Sequence, residues 1–258
     1  MGFHKVSPGS IAKFNSAFSC DFLDKLESHI DEDILAENSK PSSKTFAPSS
    51  FRCSRAMWFR LRGTQPDQPN KADRVLKFKA DMGTACHRVL QKYISEYMRD
   101  NWISLSEYLS NNPIPYKYNL REEGYETLVE VTEPYPIRFA CDGILKFNET
   151  YSLLEIKSSE SDSFHDLTDP KPHHIDQVKC YCTILGLSRV LFLYIDRTYG
   201  DLKCYDIKVS DSDKQDVLEK FKSITWAAEY NIAPDPLPKG DSWCTPSFCP
   251  YYKKCKEW

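Results

Sequence analysis

The order of apolar and polar residues along the chain predicts a block of strands with helices on either side of it. Apolar residues at helical spacing predict a short amphipathic helix in "FRCSRAMWFRLRG" and four longer helices, at about 8–40, 71–99, 173–185 and 211–230. Runs rich in β-branched and aromatic residues predict strands at about 125–131, 135–147 and 151–157, and in "RVLFLYID" and "LKCYDIKVS". Strands in the middle of a chain with helices before and after them favour an α/β layered core.

A polar loop and an unusual tail indicate how the chain is organised. "ENSKPSSKTFAPSS", at 37–50, carries two prolines and is typical of a loop. We therefore predict an N-terminal helical segment at 1–45 and one compact domain at 46–258. The domain ends in "DSWCTPSFCPYYKKCKEW", an irregular stretch rich in cysteine and aromatic residues.

Composition narrows the class of protein. The 258 residues carry a formal net charge of -3, which neither favours nor excludes a nucleic-acid partner, because a local basic groove can lie on a mildly acidic protein. No apolar stretch is long enough to span a membrane, and the N-terminus lacks the apolar core of a secretory signal. We therefore expect a cytoplasmic protein with no membrane partner. Since disulfides are rare there, the ten cysteines are expected to be core residues, metal ligands or reactive thiols.

The strand "YSLLEIKSSE" places two opposite charges next to each other. Side chains alternate faces along a strand, so Glu155 and Lys157 share one face and their apolar neighbours share the other. The preceding strand contains Asp142, and "NETY" between the two is a turn signal. If Asn148 and Glu149 form a two-residue turn, Asp142 lies opposite Glu155. Two carboxylates and an ammonium group would then converge, an arrangement suited to a divalent cation and a phosphate.

These charges also fit a simpler explanation. A strand at the edge of a sheet can carry a salt bridge on its solvated face, and such a pair contributes only a fraction of a kcal/mol. Taken alone, the residues leave a reaction site and a surface salt bridge equally open.

The order of further residues adds a family resemblance. Asp142 followed by Glu155 and Lys157 resembles the signature of the PD-(D/E)xK nuclease superfamily. "QVKCY" supplies Gln177 and Tyr181, which match the Q-x-x-x-Y helix of its RecB-like branch, downstream of the catalytic strand. The resemblance implies a restriction-endonuclease-like core, with a mixed central sheet flanked by helices. It also implies catalytic roles for all five residues.

The resemblance also implies a cation site. "GTACHRVLQKY" places His87 on a helix where relatives have a metal-binding histidine. His87, Asp142, Glu155 and the carbonyl group of Ile156 would then hold one or two divalent cations, Mn²⁺ or Mg²⁺. Lys157 would position the attacking water and neutralise charge on the phosphate. By itself, a histidine on a helix is more often an ordinary core or surface residue.

Four cysteines resemble the ligands of an iron–sulfur cluster. Cys53, and Cys244, Cys249 and Cys255 in the tail, correspond to the ligands of CRISPR-associated iron–sulfur exonucleases and of the nuclease domains of helicase–nucleases such as AddB. Four thiolates are what a [4Fe–4S] cluster requires. It would join the N- and C-terminal parts of the domain. "CTPSFC" departs from the usual C-x-x-C spacing. Zinc, which also takes four thiolates, and cysteines without a metal remain the alternatives.

The resemblance implies DNA as the substrate, and single strands or free ends more than intact duplex. Phosphate contacts could come from Arg52, Arg55, Arg60 and Arg62, and from Tyr181, with bases stacking on Trp58 and Phe59. Alternatively, the same short helix packs its aromatic residues inward. We therefore expect a divalent-metal-dependent deoxyribonuclease, and an exonuclease rather than an endonuclease. Two other hypotheses are a non-catalytic nucleic-acid-binding module and a subunit activated by a helicase or recombination partner.

Overall fold

The computed structural model describes residues 17–40, 42–67, 73–246 and 248–257, and the chain divides into two compact units. Of these residues, 17–40 and 73–79 form the first unit, and 42–67, 80–246 and 248–257 form the second. Both sheets lie in the second unit. The predicted division into segments 1–45 and 46–258 stays a prediction.

Helices make up most of the described part of the first unit, and in the second unit they lie before, between and after the strands. The helices of the described residues are α1 (Ala17–Asn38), α2 (Ser54–Leu61), α3 (Arg74–Tyr97), α4 (Leu105–Asn111), α5 (Ser161–His165), α6 (Pro172–Leu185), α7 (Asp211–Glu229) and α8 (Tyr252–Lys256). Gly186 ends α6 in the left-handed conformation, with φ of 72°, which glycine adopts without steric cost. Ser210 and Asp213 form a reciprocal capping box at the start of α7. The predicted helices are confirmed within the described residues, while α4, α5 and α8 were not predicted. The predicted start at residue 8 lies outside the described residues.

Eight strands of the described residues form two sheets. They are β1 (Trp102–Ile103), β2 (Lys117–Glu123), β3 (Glu126–Glu133), β4 (Ile137–Cys141), β5 (Gly143–Phe147), β6 (Thr150–Ser159), β7 (Arg189–Asp196) and β8 (Leu202–Lys208). One sheet has the order β1-β5-β6-β7-β8, and the other has the order β2-β3-β4. β6 and β7 run parallel and their crossover contains α6, while the other neighbours are antiparallel. The five-stranded sheet is therefore mixed, which confirms the α/β expectation.

The predicted strand at 135–147 is two strands in two different sheets. β4 pairs with β3, and β5 pairs with β6. Asp142 is the one residue between β4 and β5. Apolar residues continue through both strands, so the sequence pattern shows no sign of the change of sheet. The crossing places Asp142 where the two sheets meet.

The hairpin between β5 and β6 has the predicted register. Asn148 and Glu149 both have positive φ angles, 46° and 64°, as a two-residue type I′ turn requires. Phe147 then pairs with Thr150, and the ladder continues from there to the pairing of Gly143 with Leu154. Asp142, one residue before Gly143, is thereby brought level with Glu155.

Aromatic residues fix α2 and α7 in the core of the second unit. Trp58 is buried, and its indole Nε1 donates to the carbonyl oxygen of Ala227 at 3.1 Å. Phe221 of α7 stacks against Phe46 with ring centroids 4.7 Å apart. In the described part of the chain, no helix is both long and apolar enough to cross a membrane.

Candidate functional site

Asp142 lies at the centre of the candidate site. It is buried, and its Oδ2 accepts a hydrogen bond of 2.7 Å from the backbone N–H of Ile156 on β6. Its backbone carbonyl accepts a bond of 2.9 Å from Nε2 of Gln91 on α3. The carboxylate is thus held by the sheet on one side and tied to α3 through its own backbone on the other.

Glu155 and Lys157 do not lie at a solvated sheet edge. β6 is a central strand between β5 and β7, and Glu155 is only 2% exposed. Burial raises the pKa of the Glu155 carboxyl group, while the ammonium group of Lys157 opposes the shift. Lys157 Nζ lies 2.6 Å from Glu155 Oε1. The alternative of an ordinary surface salt bridge is therefore wrong, because the pair faces the interior.

Gln177 of α6 binds the ammonium group of Lys157, and Tyr181 binds Gln177. Oε1 of Gln177 accepts a hydrogen bond of 3.2 Å from Lys157 Nζ, and Gln177 Nε2 donates to the hydroxyl oxygen of Tyr181 at 2.6 Å. Positions four apart share one face of a helix, which explains why Gln177 and Tyr181 contact each other. Tyr181 is 4% exposed and stacks on Phe139 with ring centroids 4.4 Å apart. A buried ring cannot contact nucleic acid, so the structure contradicts that predicted contact and places Tyr181 behind Gln177.

His87 reaches Asp142 from α3. Its Nδ1 lies 3.3 Å from Asp142 Oδ1. Burial lowers the pKa of His87, but the neighbouring carboxylates of Asp142 and Glu126 outweigh burial and raise the pKa to about 9. One turn before His87, Gly83 lets α3 approach β6, since a Cβ atom there would lie 3.1 Å from Ser158 Oγ. The predicted histidine thus lies beside the predicted acid.

Glu126 is a residue that the sequence interpretation missed. It begins β3, and its Oε1 lies 3.7 Å from His87 Nδ1. One ligand atom from each of His87, Glu126 and Asp142 lies within 4.8 Å of the others, a spacing that suits a single metal ion. The only available signal was a glutamate next to the Gly124 turn. Its significance depends on how β3 pairs with β4, which cannot be read from local sequence.

The predicted ligands therefore fall into two neighbouring groups. Asp142 and His87 belong to the three-residue group, whereas Glu155 is paired with Lys157 beside it. Ile156 lies on β6 between Glu155 and Lys157, and its N–H binds Asp142. A role for its carbonyl oxygen as a ligand stays a prediction. Carboxylate oxygens with one imidazole nitrogen form a donor set that fits Mn²⁺ and tolerates Mg²⁺.

The four predicted cluster cysteines line one cavity. Cys53, Cys244, Cys249 and Cys255 surround a volume of about 40 Å³, together with apolar residues that include Phe59 and Trp243. Burial raises the pKa of Cys53, and it raises that of Cys249 to about 11. The unusual spacing after Cys244 is taken up by a turn in which the N–H of Cys249 donates to the carbonyl oxygen of Thr245 at 2.9 Å.

The arginines that were predicted to contact nucleic acid lie in α2 or next to it, and they bond instead to other parts of the protein. Arg52 pairs with Asp241 at 2.8 Å, Arg55 Nε donates to the carbonyl oxygen of Pro234 at 2.6 Å, and Arg60 Nε donates to that of Thr45 at 3.0 Å. Arg62 bonds with Asn231. Trp58 and Phe59 are buried. Of the two predicted alternatives, the structure therefore favours the helix that packs its aromatic residues inward, and the arginines bond to neighbouring segments.

Comparisons with known proteins were made at the level of sequence and of structure. No protein-family model matches the chain, and no curated protein matches it. Among solved structures, it is similar to SSO0001, with 14% identity and a TM-score of 0.49 over 87% of this chain and 95% of that one. It is also similar to the alkaline exonuclease LHK-Exo from Laribacter hongkongensis, with 16% identity and a TM-score of 0.45 over 78% of this chain and 94% of that one. LHK-Exo in complex with dAMP gives 15% identity at the same TM-score and coverage. At this distance no residue role or activity can be transferred, so the side chains of the site itself carry the function.

Proposed function

We propose that this protein is a divalent-metal-dependent nuclease that hydrolyses phosphodiester bonds in DNA. The observation that carries the proposal is the meeting of His87 and Asp142 with the Glu155–Lys157 pair where the two sheets join. These side chains come from α3, the β4–β5 crossing and β6. His87 Nδ1 lies 3.3 Å from Asp142 Oδ1, and Lys157 Nζ lies 2.6 Å from Glu155 Oε1. A surface salt bridge does not need a second acid and a histidine from a distant helix.

A cation at this site would be held by Asp142 and His87, with Glu155 and the Ile156 carbonyl as further predicted ligands. When bound, it supplies Lewis acidity toward a phosphate and makes a water molecule more acidic. The donor set fits such an ion, because three carboxylates in the site face only one lysine and one histidine. That surplus of negative charge favours a cation over a neutral or anionic ligand.

Lys157 provides the positive charge that the reaction needs next to the acids. Its ammonium group is mostly buried, and Glu155 and Gln177 fix its position from two sides. A fixed cationic donor in a water-poor site can stabilise the charge that develops on a phosphate in the transition state, commonly by 10²–10³ in rate. Tyr181 would orient Gln177 through the hydrogen bond between their side chains.

From the family resemblance we propose that the substrate is single-stranded DNA or a free DNA end, and that the enzyme is an exonuclease rather than an endonuclease. The same resemblance leads us to propose a helicase or recombination partner. The arginines in and next to α2 bond to neighbouring protein segments, so we expect DNA phosphates to be bound mainly by other residues.

We also propose that the cysteine cavity holds a [4Fe–4S] cluster. Four thiolates around one cavity satisfy its ligand count. A zinc ion also takes four thiolates, and the iron and zinc content of the purified protein distinguishes the two.

The test is a cleavage assay on end-labelled single-stranded and duplex DNA with Mn²⁺, with Mg²⁺ and with a chelator. We expect metal-dependent cleavage by the natural protein, and a loss of about 10²-fold or more in Lys157→Ala. Lys117→Ala is the matched control, because it removes the same charge from an exposed position on β2. Lys157→Ala cutting at the natural rate would disprove the site assignment. A protein that binds DNA without cutting it would instead be a binding module or a subunit that needs a partner.

A further inference from the structure

Asp142 has a glutamate beside it in each of the two sheets. Gly143 pairs with Leu154, which brings Asp142 level with Glu155 in the five-stranded sheet. Thr127 pairs with Cys141 in the antiparallel β3–β4 ladder, which brings Asp142 level with Glu126 in the three-stranded sheet. The family signature accounts for Glu155 only. Glu126 therefore calls for an explanation of its own.

The two glutamates have different partners. Glu155 is buried and neutralised by Lys157 at 2.6 Å. Glu126 and Asp142 instead both approach the same ring nitrogen, His87 Nδ1, at 3.7 and 3.3 Å. One ring nitrogen carries at most one proton, and 3.7 Å is beyond an ordinary hydrogen bond. His87 alone thus leaves one of these two carboxylates poorly paired.

We propose that Glu126 is a direct ligand of the divalent cation held by His87 and Asp142, an inference that rests on the proposed function. An ion among the three groups neutralises the repulsion between the two carboxylates and uses oxygen atoms that already converge within 4.8 Å. Glu126 is partly exposed, so the ion has a route from solvent. The ion then connects α3, the three-stranded sheet and the strand crossing at Asp142.

Direct Mn²⁺ binding tests this role without reference to activity. The free Mn²⁺ signal in electron paramagnetic resonance is followed as Mn²⁺ is added to the natural protein, to Glu126→Gln and to Glu130→Gln. Glu130→Gln is the matched control, because it removes one carboxylate from the same strand at a residue paired with Arg138. We expect Glu126→Gln to weaken Mn²⁺ binding about tenfold or more, since affinity follows the number of charged ligands, and Glu130→Gln to bind within about twofold of the natural protein.

A second comparison separates a ligand from a residue that only orients His87. In a His87→Ala background, a direct ligand still contributes, so Glu126→Gln should weaken binding again by a similar factor. No further loss in that background would mean that Glu126 acts through His87, and the inference would fail. It would fail equally if Glu126→Gln bound Mn²⁺ as tightly as Glu130→Gln. If the binding results are as expected but no DNA is cut, the ligand role stands and the proposed function is what fails.

Discussion

The acid site and the cysteine cavity each collect side chains from distant parts of the second unit, but they are held in different ways. Asp142 and Glu155 are set by strand register, and a backbone N–H binds the Asp142 carboxylate at 2.7 Å. Three of the four cysteines lie in an irregular tail. Its contacts with the rest of the unit include Arg52–Asp241 and Lys254–Asp67, at 2.8 and 3.2 Å. If both proposed metal groups bind, we expect the one at the acids to supply chemistry and the one at the cysteines to supply stability.

The largest effect should come from Asp142→Asn. The variant keeps an oxygen that can accept the Ile156 N–H, but it loses the charge that attracts the cation, so we expect activity to fall by about 10³-fold. The folded protein without metal should be only slightly less stable, because the loss of the ion pair with His87 is offset in part by reduced repulsion among the three carboxylates. DNA cleavage and thermal unfolding of the metal-free protein measure the two effects. A variant that unfolds at a much lower temperature would show that the acids hold the fold together.

The cysteine cavity should respond in the opposite way. In Cys249→Ser we expect the free energy of unfolding to drop by about 3 kcal/mol or more, since a bound metal group stabilises only the folded tail. Urea unfolding and limited proteolysis of the tail test this. Cys204→Ser, at an exposed cysteine on β8, is the control. Equal behaviour of the two variants would remove any structural role for a cluster.

An intermediate effect is expected where α3 meets β6. In Gly83→Ala the new Cβ atom would lie 3.1 Å from Ser158 Oγ, which pushes His87 away from Asp142. We expect cation binding and activity to fall about tenfold, because small displacements of reacting groups are costly. The double variant Gly83→Ala, Ser158→Ala removes the clashing oxygen and should recover most of the loss, as measured by Mn²⁺ titration. A double variant as poor as the single one would contradict this explanation.

The comparison also shows which parts of the site the sequence can specify. The Asp142–Glu155 pairing was predictable, because a two-residue turn at Asn148 and Glu149 fixes the register of a hairpin. His87 and the four cysteines were predicted as metal ligands from the resemblance to a nuclease family. Glu126 was not found, because its place depends on the pairing of β3 with β4. The change of sheet at Asp142 was hidden for a related reason, since apolar residues continue on both sides of it.

The smallest effect on DNA binding is expected for the arginines in and next to α2. From the sequence they could either contact DNA phosphates or belong to a helix that packs within the protein. In the structure Arg52 pairs with Asp241 and Arg60 donates to the carbonyl oxygen of Thr45. Replacing each with alanine should therefore lower the melting temperature slightly and leave DNA affinity within about twofold. A residue that contacts a phosphate behaves differently, because its loss reduces the salt dependence of binding by about one counterion. Binding titrations at several salt concentrations distinguish the two cases. A reduced salt dependence in Arg52→Ala would return this helix to the DNA-binding surface and would require its pair with Asp241 to open when DNA binds.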